Sequence, residues 1–202
     1  MAAALPAPVT VPGLERLMQL ATVNIHQTST GYNGNNYTVF NEDEVLFTMN
    51  EDVPDTFFRG GAKRAFIFDG VENTGRTVFR FRRPGGGCLL SEIVELFMNG
   101  ELVSVIRMER TCCTPLFSIK DPQEQPVIRL KGKITEIAIF ELQTKDKTPI
   151  GSMHKLWRGW KKELFTRKND FIINFPADLA LQYKLGVIVA CVFIDFSYFE
   201  GK

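Results

Sequence analysis

Cysteine is scarce in this 202-residue chain, and its placement excludes two classes of protein. Of the four cysteines, Cys112 and Cys113 are neighbours that cannot readily bond each other, and Cys191 lies in an apolar run. That is no disulfide framework, and it points to a reducing compartment. No two cysteines have the CxxC spacing of a zinc site. Histidine is scarcer still. His26 and His154 are far apart, in strand-like stretches, with no Ser or Cys nucleophile pattern beside them, so no covalent catalysis is expected. Gly85-Gly86-Gly87 precedes neither a clear helix nor a Gly-Lys-Ser/Thr, so it reads as a flexible connection, not a phosphate loop. A signal peptide is missing, because residues 1–10 lack a basic n-region and a long apolar h-region. Ala2 stands where N-myristoylation needs glycine, and without a secretory route the Asn36-Tyr37-Thr38 sequon has no use. An excess of one charge is also absent. Lys and Arg number 24 against 23 Asp and Glu, so no global field argues for nucleic acid.

What is present suits one domain with a core large enough to need no staples. Prolines at 6, 8 and 12 make residues 1–11 a flexible lead-in, and the domain is expected over 12–202. Its middle repeats one pattern, two alternating apolar runs around a polar turn. The pattern appears at Tyr37–Phe40 and Val45–Phe47 around residues 41–44, and at Ala65–Phe68 and Thr77–Phe81 around 69–76. It returns at Ile93–Phe97 and Leu102–Ile106 around Asn99-Gly100, the favoured type I′ hairpin turn. Leu116–Ile119 with Val127–Leu130, and Ile137–Leu142 with Ile150–Met153, complete the series, the last around a turn at 143–148. Single strands are expected at Ala21–Gln27 and Phe171–Phe175. Together these predict about twelve antiparallel strands, a number that closes to avoid bare edges.

The terminal run from Leu185 to Phe199 is the most apolar stretch, and it includes Val189, Phe193 and Asp195. As a helix it rises only about 22 Å, against roughly 30 Å for a hydrocarbon core. A carboxylate such as Asp195 near a bilayer centre costs about 3 kcal/mol. A barrel of about twelve strands has an interior too wide for its own side chains. A helix over about 181–198 is therefore expected inside it, while a membrane span remains the other reading of the same run.

A mainly β barrel around a hydrophobic C-terminal helix is the tubby-like architecture, and the motifs resemble the phospholipid scramblase family. They are Pro12-Gly13-Leu14-Glu15-x-Leu17, Ile25-His26-Gln27, Arg83-Pro84 and Ile150–Trp157. The series continues with Phe165-Thr166, Asn169-Asp170-Phe171, Phe175-Pro176-x-Asp178-Leu179 and Ala190-Cys191-x-Phe193-Ile194-Asp195-Phe196-x-x-Phe199-Glu200. The resemblance covers roughly residues 11–200. It implies ATP-independent, Ca²⁺-dependent movement of phospholipids between leaflets. It also implies a place on the cytosolic side of membranes, peripheral or held by the terminal helix. Some members act instead as signalling or nuclear adaptors. The other function class is a soluble tubby-like module that recognises phosphoinositide headgroups or protein partners. The chain departs from the family in three ways. The long Pro-rich N-terminal region has no counterpart. One cysteine, Cys88, stands where the family has a palmitoylated cluster, and a single acyl chain anchors only marginally. Arg167 and Asn169 stand at the first two acidic positions of the family's calcium loop.

Two segments carry candidate sites. Ca²⁺ wants six to eight oxygens. Asn169, Asp170, Asn174 and Asp178 fall short of that number, and Arg167 and Lys168 repel a cation, so only a weak site is expected. The other reading of the segment is a strand entry and a turn, with Asp178 as N-cap of the terminal helix. Further upstream, residues 155–168 place six cations around two tryptophans. As a helix, Trp157, Trp160, Leu164 and Phe165 share a face. With Lys155, Arg158, Lys161 and Lys162 this face suits an anionic membrane surface. Packing of the aromatics on the barrel, and recognition by a nuclear import receptor, are the other two readings. Cys112 and Cys113 are expected to begin a strand, without a role of their own.

Overall fold

Alternation of apolar and polar residues sets the walls of this molecule. The computed structural model describes residues 14–29, 34–53, 64–85, 92–112, 114–133, 136–155 and 171–198. A short helix, α1 (Glu15–Gln19), leads into β1 (Thr22–Ser29), β2 (Asn36–Asn41), β3 (Glu44–Glu51), β4 (Phe66–Glu72), β5 (Thr77–Arg83) and β6 (Ile93–Met98). There follow β7 (Glu101–Glu109), β8 (Leu116–Lys120), β9 (Pro126–Lys133), β10 (Glu136–Thr144), β11 (Pro149–Lys155), β12 (Phe171–Asn174) and α2 (Leu181–Tyr198). Each strand pairs antiparallel with its sequence neighbour, and β1 pairs with β12 to close a twelve-stranded barrel. No strand edge is left bare.

Inward positions are apolar and buried, as in Val94, Leu96 and Met98 of β6 or Phe66 and Phe68 of β4. Outward positions carry Arg80, Arg82, Lys131 and Lys133. Among the described residues Val45 is the one large apolar side chain that is exposed. Barrels that span membranes by their strands carry an apolar outer band. This wall is the reverse.

Helix α2 fills the interior. Every residue from Lys184 to Phe196 is buried. By length and composition α2 is apolar enough to cross a membrane, but 78% of it is enclosed by its own barrel. Ring contacts join it to the wall. Phe196 lies 4.7 Å from Phe66, and Phe193 lies 5.4 Å edge-on to Phe117. The helix presses on β8 so closely that a Cβ at Gly186 would sit 2.9 Å from the Ile119 side chain.

The hairpins form where the sequence places them, with shorter turns and one strand that starts later than expected. The β4–β5 turn is confined to residues 73–76, because Asp69, Gly70 and Val71 continue the strand. Gly70 reads as a turn residue but serves a close approach: a Cβ there would meet the Phe79 ring at 2.2 Å. The β10–β11 turn likewise shortens to residues 145–148. Cys112 does not begin a strand. It is exposed in the β7–β8 connection, and β8 starts only after Pro115, which cannot donate a ladder hydrogen bond. The Asn99-Gly100 turn has φ of 51° and 80°, the left-handed pair that a type I′ hairpin requires.

Candidate functional site

The odd-numbered strands all end at one mouth of the barrel, and α2 ends there too. Its carboxylate, Asp195, is buried and caught between two walls. Tyr37 donates its hydroxyl to Asp195 Oδ2 at 2.9 Å, and the Lys155 ammonium donates to Oδ1. Lys155 also lies 4.7 Å from the centre of the Phe171 ring, its ladder partner on β12. The contacts continue round the rim. Gln27 donates Nε2 to Tyr37 Oη at 3.3 Å and to Asn35 Oδ1 at 3.2 Å. Asn35 donates its backbone N–H and its amide Nδ2 to Glu51 Oε2, at 2.9 and 3.0 Å. Arg64 closes on both Glu51 oxygens, a bidentate pair.

Two aromatic side chains of the helix end support arginines. Arg64 stacks 5.0 Å from the Phe196 ring, and Arg83 lies 5.1 Å from that of Phe193. Burial, with Arg64 as a secondary cause, lowers the Arg83 guanidinium to about 10, so it stays charged at neutral pH. The described mouth places Arg64, Arg83 and Lys155 beside Glu51 and Asp195 around the helix end, and pairs Arg110 with Glu92 elsewhere on the same rim. It contains no nucleophile with an adjacent base. What it does is hold the end of an apolar helix in register with the wall. Buried ion pairs of this kind fix geometry more than they add net stability.

The opposite end is closed by Lys184, which sequence reading passed over because it lies just before the apolar run. Its ammonium is buried within 3.1 Å of the carbonyls of Leu17, Met18, Leu20 and Ala177. Three of these are carbonyls at the C-terminal end of α1, of which Leu17 also accepts the Leu20 N–H, and a cation is favoured there by the C=O groups and the helix dipole. Burial lowers the Lys184 pKa, and Asp178 partly restores it. With Leu14 and Leu17 buried beneath it, α1 is a plug fastened by a lysine of the core helix.

The predicted site residues fall in different places. Lys155 is not a free surface cation, since its ammonium is on Asp195. Trp157, Arg158, Trp160, Lys161 and Lys162 lie outside the described residues, as do Cys88, Asn169 and Asp170. Leu185, Val189, Phe193 and Asp195 all lie inside the barrel. Asp178 is not the N-cap of α2. The helix starts at Leu181, and the Ala180 carbonyl takes its first backbone bonds, from Tyr183 and Lys184. The turn with Leu179 N–H on Pro176 C=O delays the helix start by two residues. His26 and His154 are on β1 and β11, separated by β12.

The described half of the calcium segment does not fit a calcium ion. Asn174 Oδ1 already accepts the Thr22 hydroxyl at 2.9 Å. The extended strand carries Asn174 about 10 Å from Phe171, twice the span of one coordination sphere. Asp178 is farther along, exposed beyond the strand's other end. Among the described residues no group of three His, Cys, Asp or Glu side chains is placed to hold a metal.

An up-and-down β-barrel closed around an apolar C-terminal helix, with a buried lysine near one helix end and a buried carboxylate near the other, is the class of protein these features define. The chain belongs to the scramblase family: the family model described as Scramblase matches residues 1–201. It is 31% identical to phospholipid scramblase 1 of Mus musculus over 210 aligned positions, covering 94% of this chain. It is 31% identical to phospholipid scramblase 2 of Bos taurus, covering 99% of this chain and 75% of that protein. Phospholipid scramblase family member 5 of Homo sapiens is 27% identical over 97% of this chain and 80% of its own length. The chain spans 64% of the length of the mouse protein. No solved structure matches it.

Proposed function

We propose that this chain moves phospholipids between the leaflets of a membrane without ATP, acting from the cytosolic side. The observation that carries the reading is family membership over nearly the whole chain, with relatives named for phospholipid scrambling. The protein reaches the membrane through anionic lipid. Trp157 and Trp160 sit at headgroup depth, and Arg158, Lys161 and Lys162 lie on the lipid phosphates. The segment that holds them joins Lys155 to Phe171, which pair at the mouth where α2 ends. Enclosure of α2 favours attachment from the surface over a helical anchor. Little response to micromolar calcium goes with this reading, because Asn174 is engaged by Thr22 and Asp178 lies apart from it beyond the strand. The same basic segment offers a nuclear import receptor its cations.

The test is reconstitution into vesicles containing fluorescent phospholipid, followed by dithionite quenching in the absence of ATP. Quenching of the inner leaflet that scales with protein supports the reading. Protein that binds the vesicles yet leaves the inner leaflet protected overturns it and leaves a lipid-binding barrel.

A further inference from the structure

Two grooves of about 380 Å³ are cut into the outer wall, and their electrostatics differ. The first holds Arg80 and Arg82. Both are neutralised: Arg80 pairs with Asp69 at 2.7 Å, and Arg82 pairs with Glu95 at 2.6 Å. The second runs along β9 and β10 from the β7–β8 connection to the β10–β11 turn. It is lined by Arg129, Lys131, Lys147, Thr111, Thr114 and Gln143. Among the described residues none of its three cations makes an ion pair. The carboxylate of Glu141 stands opposite Lys131 across the ladder and accepts the Gln143 amide, so it adds one negative charge beside the groove. Glu109, on the next strand pair, is taken by Ser118 and Lys120.

We propose that this second groove binds a phosphate monoester, either free in solution or as the headgroup of a lipid. The chemistry is that of a dianion. Three cations against the carboxylate of Glu141 leave two positive charges, which suit a dianion and exceed what one phosphodiester charge calls for. Arg129 offers a planar fork suited to two phosphate oxygens, and Lys131 and Lys147 add point charges. The Thr111 hydroxyl donates to the Thr114 carbonyl, while the Thr114 hydroxyl and the second N–H of the Gln143 amide bring further donors to the same walls. The volume takes a headgroup and not an acyl chain. The site stands apart from lipid translocation, so a chain that moves no lipid still binds.

The experiment is an NMR titration of the whole chain with sn-glycerol 3-phosphate, beside flotation with phosphatidylcholine vesicles containing phosphatidic acid. Wild type is compared with a Lys131→Gln, Lys147→Gln variant, whose changes are at exposed positions, set no like charge opposite Glu141 and are expected to leave the melting temperature unchanged. The expected result is shifts centred on Thr111, Thr114, Arg129 and Gln143, and binding weakened about tenfold or more in the variant, from roughly a factor of five for each cation. Binding of glycerol phosphate assigns the site to soluble esters. Binding of the vesicles alone, lost in the variant, assigns it to a lipid surface. Failure of both probes, or equal binding by wild type and variant, overturns the proposal.

Discussion

Val189 lies at the middle of α2 with no exposed surface, so Val189→Asp tests where that helix resides. Inside the barrel a new carboxylate has no partner. Burial raises a carboxyl to about 8 or 9, so it folds protonated. Holding that proton at pH 7, when the unfolded group titrates near 3.9, costs about 4 kcal/mol. Loss of the valine burial adds about 2 kcal/mol. The sum is a large part of a typical domain stability of about 5–15 kcal/mol. At roughly 2–4 °C for each kcal/mol in a chain of this size, the melting temperature should fall by about 12–24 °C. The sign with pH is specific. The folded state binds a proton that the unfolded state lacks, so the penalty shrinks as pH falls from 7 to about 4. Val189→Asn, which does not titrate, keeps its penalty throughout. The assay is thermal unfolding of the detergent-free protein at both pH values, with each variant read against wild type. If Val189→Asp melts like wild type and changes only membrane attachment, the helix is not the core of the barrel.

Lys184→Met removes the donor from the carbonyls of Met18, Leu20 and Ala177, while Leu17 keeps the Leu20 N–H. It should cost about 3 kcal/mol in urea denaturation, at about 1 kcal/mol for each unpaired carbonyl, and should speed amide exchange across α1. Wild type should also gain stability over Lys184→Met as pH rises from the lowered lysine pKa toward the ordinary 10.5, because there the unfolded state holds the extra proton. Asp195→Asn strands the Lys155 ammonium and should cost about 2 kcal/mol, less than a fully buried pair because Lys155 keeps some access to water. Adding Lys155→Met should recover part of that loss, and additive costs in the double-mutant cycle would deny the coupling. Calorimetric titration of calcium should show no micromolar site in wild type, because Arg167 cannot coordinate and repels the ion. A micromolar site abolished by Asp170→Ala would contradict this.

The strands were legible because each one is a local pattern. Alternation in Ile93–Met98, or the Asn99-Gly100 pair, needs no knowledge of the rest of the chain. Family membership was equally legible, since it rests on motifs in order. Gly70 was misread because a glycine in a turn and a glycine under a ring look the same until Phe79 is placed across the ladder. The Asp178 cap failed for a similar reason: the turn at Pro176 decides where the helix begins.

By itself, then, the sequence determined a closed β wall, an apolar helix of a length suited to filling it, and the family to which both belong. Tertiary structure alone decided how the charges were spent. Asp195 looked like the flaw in a membrane span and became an anchor for Tyr37 and Lys155. Lys184 carried no signal at all and became the clasp on α1, 164 to 167 residues away in sequence. Arg129, Lys131 and Lys147 are scattered along the sequence, and only the barrel set them in one groove. The physical reason is range. Periodicity and turn chemistry act over a few residues, whereas the partner of a charge is fixed by whichever strands the closed barrel brings within a few ångströms.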